Sequence, residues 1–271
     1  MEKLFKKVGI KIVKTQPRKS SVIKETIKRI GYRFGYDISI DRGDEAAPVK
    51  EYDEIKTYAT YSPWNTNTEF RKTYEIIKDY TLVDIYRCYE LWTLVEQVSK
   101  LPEGNMIEVG TWRGGTGGIL AKSAKLSGIN DKVFFCDTFK GVVKASSEDS
   151  VYVGGEHDDT SRELVEDLMQ NKLKLDNVEI LEGIFPDETG SMVEDLKFRL
   201  CHIDVDVYKS SKESVDWLWD RLVPNGIVVY DDYGYHECDG ITKHVEEQMD
   251  MKDRIVLYNL NGHAIVMKID D

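Results

Sequence analysis

Carboxylates close five successive apolar runs of this 271-residue chain. Glu108 stands two residues before Gly110 in MIEVGTWRGGTGG, Asp137 lies near the end of KVFFCDTF, and Glu182 follows VEIL. Asp204 and Asp206 fall in RLCHIDVDVY, and Asp231-Asp232 in GIVVYDDY. Acids gathered on one rim repel one another unless something positive lies among them. A cofactor with a sulfonium, an ammonium and two ribose hydroxyls, S-adenosylmethionine (SAM), suits Glu108 and Asp137. Asp137 comes 27 residues after Gly110, close to the distance at which an acid reaches the ribose hydroxyls in nucleotide-binding α/β folds. The second group, Asp204, Asp231 and Asp232, offers the all-oxygen donors of a hard cation such as Mg²⁺, completed by water and substrate oxygens. Such a metal lowers the pKa of a substrate hydroxyl and holds its oxygen in line for transfer. The structural alternative is that these aspartates cap the loop and helix that follow them.

Five glycines between Met106 and Gly118 point to a strand-to-helix turn that something approaches closely. No G-x-x-x-x-G-K-[ST] occurs, and no Lys or Arg sits where it would cradle phosphate.

The elements that must position these residues alternate. Strands are expected at MIEVG, KVFFCDTF, VEILEGIF, RLCHIDVDVY and GIVVYDDY, with helices over 81–100, 115–127, 160–173, 210–222 and 240–250. RIVLYNL and HAIVMKI, joined by Asn261-Gly262, read as a hairpin. Alternation implies a parallel sheet covered on both faces, with ligands outside the carboxyl ends of its strands. The closing hairpin adds one antiparallel strand, which favours the seven-stranded SAM-methyltransferase sheet over an all-parallel dinucleotide-binding one. Residues 81–271 form that α/β domain; residues 1–80 precede it as a basic helical arm and a connecting segment.

Hydrophobic content of 41% and charged content of 32% are those of a globular protein, and no apolar run has the length of a membrane span. Cys88, Cys136, Cys201 and Cys238 are scattered without metal-ligand or disulfide spacing, as in a reducing cytoplasm. Residues 1–36 hold eleven Lys and Arg against Glu2 and Glu25, a balance of +9, which leaves −21 of the net −12 for the other 235 residues. So acidic a body does not bind nucleic acid. In the arm, Ile23, Ile27, Ile30 and Phe34 recur at helical spacing between basic residues, a helix suited to docking on this protein or a second subunit, or to an anionic membrane surface.

Four motifs in order, IEVGTWRGG, CDTFKGV, HIDVDVYKSS and GIVVYDDYGYHECDGITKHVEE, resemble the TylF/MycF, or macrocin O-methyltransferase, family of class I SAM enzymes; the resemblance runs from about Thr81 to Lys268. It implies Mg²⁺-dependent methylation of a sugar hydroxyl on a glycosylated natural product, nucleotide sugar or surface glycan, in a homo-oligomer. By position, Glu108, Gly110, Trp112 and Gly114 would surround the methionine end of SAM. Asp137 and Thr138 would serve the ribose, Gly183-Ile184-Phe185 the adenine, and Thr81 would lie close to the cofactor, with 61–72 as a lid. Asp204, Asp231 and Asp232 would hold the metal, and Asp204 would accept the hydroxyl proton. The chain departs from the family in its basic arm, in the insertion ASSEDSVYVGGEHDD, and in Asn225-Gly226 where a double glycine is usual.

Three other readings are open. His157, His236 and His263 are candidate bases, since an unperturbed imidazole titrates near neutral pH; His236, close behind Asp231-Asp232, is the first choice. Tyr208 and Lys212 fit the Tyr-x-x-x-Lys pair of short-chain dehydrogenases, which would take NAD(P), although the glycine turn and upstream serine of those enzymes are missing. A non-catalytic scaffold in a glycan-assembly complex would have no use for the acids.

Overall fold

The computed structural model describes residues 59–269, so the basic arm and its expected helix lie outside the described residues. Within them a seven-stranded sheet runs in the order β3-β2-β1-β4-β5-β7-β6. The strands are β1 (Asn105–Val109), β2 (Val133–Asp137), β3 (Val178–Glu182), β4 (Phe198–Ile203), β5 (Leu222–Tyr230), β6 (Arg254–Tyr258) and β7 (Ala264–Lys268). Strands β1 to β5 pair in parallel, and β7 inserts antiparallel between β5 and β6. The expected class I methyltransferase arrangement, an α/β fold closed by an antiparallel hairpin, is therefore the observed one.

The helices are α1 (Thr68–Ile77), α2 (Ile85–Val98), α3 (Gly115–Leu126), α4 (Arg162–Asp167, continued by a π-turn through Lys172), α5 (Tyr208–Trp219) and α6 (Asp239–Met249). Helix α2 begins four residues later than its apolar pattern suggests. Asp84 caps it by accepting from the backbone N–H groups of Tyr86 and Arg87, which frees residues 80–83 to line a cavity. Helix α1 lies partly in the segment expected to be a lid. Asn67 caps it, and it buries Phe70, Thr73 and Ile77.

Strand alternation divides the apolar side chains between two layers. Met106, Val133, Phe135, Leu200, Ile227 and Val229 pack with α1 to α4. Ile107, Val109, Phe134, Cys136, Cys201 and Val228 pack with α5 and α6. After β1 the chain builds outward through β2 and β3, then returns to place β4 on the other side of β1. The crevice where this reversal occurs, at the carboxyl ends of β1 and β4, is where such sheets bind ligands. No helix among the described residues is long and apolar enough to cross a membrane.

Candidate active site

A cavity of about 370 Å³ opens at that reversal point. One end is bordered by Thr81, Gly110, Trp112, Asp137 and Thr138, together with Gly183-Ile184-Phe185 beyond β3. The other is bordered by Asp204, Asp231 and Asp232. Two residues expected at the cofactor do not line it. Glu108 is fully buried beneath the turn, with one oxygen 3.0 Å from Nδ1 of His202. Strand alternation turns Glu108 to the Met106 side of the sheet, under Gly117, where a β-carbon would lie 2.6 Å from its other oxygen. Gly114 caps α3 in the left-handed region and faces Val165.

Close packing accounts for much of the glycine cluster. A β-carbon on Gly115 would lie 2.7 Å from the Tyr80 carbonyl, so the start of α3 is pressed against the 80–83 segment. That contact brings Thr81 to the cavity beside the exposed end of β1.

Asp137 is fixed from both sides. Its Oδ2 accepts from the Trp112 N–H at 2.7 Å and its Oδ1 from the Phe139 N–H at 2.7 Å. Burial raises its pKa, and the backbone donors work in the opposite direction. Each oxygen keeps a lone pair for a hydroxyl donor.

At the far end, Asp204, Asp231 and Asp232 each place one ligand oxygen within 4.8 Å of the others. Burial, then repulsion from neighbouring acids, pushes the Asp204 and Asp232 carboxyls well above the usual range. Asp231 goes the other way. Burial disfavours its charge, but His202, His263 and Arg87 outweigh it and hold the group well below the usual range. Nε2 of His263 is 2.9 Å from Oδ1 of Asp231, while Arg87 donates to Oδ2. His202 is itself opposed by burial, yet Asp231 and Glu108 raise it to about 9.

The expected base His236 is exposed and off the cavity lining. His157 enters the cavity from the 145–159 insertion, with Nε2 3.3 Å from the Tyr152 hydroxyl and 3.9 Å from Asp206. The insertion is latched down. Asp149 accepts from the Tyr208 N–H at 2.8 Å, and Ser150 N–H donates to Asp239 at 3.0 Å, joining it to the starts of α5 and α6. Tyr208 and Lys212 are elsewhere: the tyrosine donates to Glu247 and the lysine to Asp216, and neither borders the cavity.

Asp206 is among the strand-end acids of the sequence, whereas Arg87, His202 and Tyr152 are not marked there as site residues. His202 takes its place from the parallel pairing that sets it opposite Glu108, which only the folded sheet shows. Tyr152 lies in the insertion ASSEDSVYVGGEHDD, already marked as a departure from the family, whereas no local signal existed for Arg87.

A Streptomyces olivaceus protein, 8-demethyl-8-(2,3-dimethoxy-alpha-L-rhamnosyl)-tetracenomycin-C 4'-O-methyltransferase, is 27% identical over 170 residues, 59% of this chain; the match spans 64% of that relative's length. Among solved structures, the O-methyltransferase NovP superposes with a TM-score of 0.59 at 22% identity, covering 70% of this chain and 83% of its own. The calicheamicin methyltransferase CalS11 gives 0.58 at 15% identity, covering 81% of this chain and 100% of its own. These two likenesses are of fold. The model of the TylF family, the macrocin O-methyltransferases, matches residues 63–264, and the chain belongs to that family.

Proposed function

We propose that the protein is a SAM-dependent O-methyltransferase that methylates a sugar hydroxyl of a glycosylated natural product, nucleotide sugar or surface glycan, with Mg²⁺ at Asp204, Asp231 and Asp232. The observation that carries this reading is one cavity with Asp137, fixed by two backbone N–H groups, at one end and three convergent carboxylates at the other. Family membership and the sugar-directed relative support the acceptor class.

The donor set fits a divalent cation. Three oxygens converge, and Asp204 accepts no side-chain hydrogen bond among the described residues. A cation there would offset the burial cost and the mutual repulsion that together raise Asp204 and Asp232. When bound, SAM supplies the electrophilic methyl group and Mg²⁺ polarises the acceptor hydroxyl. The chain's own residues then have separate tasks. Asp137 holds the ribose, Thr81, Trp112 and Gly183-Ile184-Phe185 enclose the cofactor, and Asp204 accepts the hydroxyl proton. Tyr152 and His157 close the acceptor side against water.

The reading carries with it a cytoplasmic, homo-oligomeric enzyme. Ile255 and Leu257 on the edge strand β6 are 47% and 57% exposed, which supports a subunit contact. Calorimetry with S-adenosylhomocysteine (SAH) and with NAD⁺ tests the cofactor: SAH is expected to bind and NAD⁺ not. The reverse would replace methyl transfer with the dehydrogenase reading. EDTA is expected to abolish turnover and Mg²⁺ to restore it, with Asp204→Asn losing at least about a hundredfold in kcat. Full activity in EDTA would make the three aspartates structural.

A further inference from the structure

The Asn261-Gly262 turn reverses the chain between β6 and β7, yet it also lies against the site. A β-carbon on Gly262 would come within 2.4 Å of the Tyr235 ring, and Tyr235 lines the cavity with its ring 5.0 Å from the Arg87 guanidinium. Two hydrogen-bonded paths run from this turn to Asp231. In the first, Nε2 of His263 is 2.9 Å from Oδ1 of Asp231 and Nδ1 is 2.6 Å from Glu90. The His263 backbone is pinned in turn: its N–H donates to the Asn259 side chain at 3.2 Å, and its carbonyl accepts from the Asn259 N–H at 3.0 Å. In the second, the Asn261 amide donates to both oxygens of Asp84 at 3.0 and 3.2 Å. Asp84 accepts from Nε of Arg87 at 2.9 Å, and Arg87 donates to the Asp231 carbonyl at 2.9 Å and to Oδ2.

Each oxygen of the Asp231 carboxylate is thus held by one of the two paths, both of which start within residues 259–263, and Oδ1 also lies 3.4 Å from Nε2 of His202 on β4. Asp84 also caps α2, so the helix start, the turn and the acid form a closed hydrogen-bonded ring. Three carboxylates within 4.8 Å of one another would rotate apart if left to their mutual repulsion. A donor on each oxygen of Asp231 prevents that rotation.

We infer that the 259–263 hairpin turn is a positioning element of the metal site, in which His263 directly, and Asn261 through Asp84 and Arg87, fix the Asp231 carboxylate beside Asp204 and Asp232. This rests on the metal reading above, and one experiment separates the two. The full chain, saturated with SAH, is titrated with Mn²⁺ and free Mn²⁺ is followed by electron paramagnetic resonance. His263→Ala is expected to weaken Mn²⁺ binding at least about tenfold, the scale of losing a partner that orients a metal ligand. His263→Gln recovers part of the loss, because its amide still donates. Asn261→Ala, at an exposed residue that does not touch Asp231, weakens binding in the same direction without endangering the fold. SAH affinity, measured by calorimetry, stays within about twofold throughout, since the turn touches no cofactor-lining acid. Unchanged Mn²⁺ affinity in both His263→Ala and Asn261→Ala would overturn the inference and leave the metal reading intact. A wild-type chain that takes up no Mn²⁺ would remove both.

Discussion

Gly110 and Asp204 meet backbone to backbone: a β-carbon on Gly110 would lie 1.7 Å from the Asp204 carbonyl oxygen. The Asp204 N–H donates to Val109 at 2.9 Å, so the ends of β1 and β4 are drawn together where the cofactor end of the cavity meets the acids. Gly110 also has a φ of +89°, which L side chains rarely adopt.

Gly110→Ala combines that strain with a backbone clash and is expected to cost at least about 2 kcal/mol of unfolding free energy. Urea denaturation measures it. A loss below about 0.5 kcal/mol, the scale of a neutral surface change, would show that the two strand ends have room to separate.

Asp137 offers its remaining lone pairs to the ribose from a carboxylate already set by Trp112 and Phe139. Asp137→Asn is expected to weaken SAH binding between about tenfold and a hundredfold, the worth of hydrogen bonds to a charged group. Asp204→Asn leaves SAH affinity unchanged. Calorimetry on both variants checks the division of labour, and equal losses would refute it.

Between the two accessible histidines the structure favours His157. His157→Ala is expected to lower kcat/KM at least about tenfold, whereas His236→Ala stays within about twofold. The measurement is SAH formed in the methylation reaction. The opposite order would place the acceptor beside His236, outside the cavity.

Burial holds His244 down at about 4, with Lys212 adding to the effect and Asp216 opposing it. A folded pKa below the unfolded value means that the folded state binds fewer protons between pH 4 and 6.5. The stabilisation is therefore full above pH 6.5 and lost as pH falls through 4. Relative to His244→Gln, the wild type is expected to lose about 3 kcal/mol between pH 7 and pH 4. Chemical denaturation at several pH values gives this difference; a constant offset would mean that His244 titrates alike in both states.

The order of strands and helices was legible in the sequence because alternation and helical spacing are local, and Asn261-Gly262 declared the hairpin. The acidic rim was legible too, since all five parallel strands point their carboxyl ends one way. Which acid faces the cavity was not. Glu108 and Asp137 look alike as strand-end acids and face the same layer, but Glu108 pairs with Phe135, two residues deeper, and is buried under Gly117, while Asp137 ends β2 and reaches the lining. The partners of Asp231 come from β4, the turn before β7 and α2, separated by up to 144 residues for Arg87. Pairing of Glu108 with His202 and of Tyr230 with Ala264 sets the two histidines there. Register across a sheet depends on how whole elements pack, and no local run of residues encodes it. Tertiary structure alone therefore decided that a hairpin turn, a buried histidine and a capped helix would converge on one aspartate.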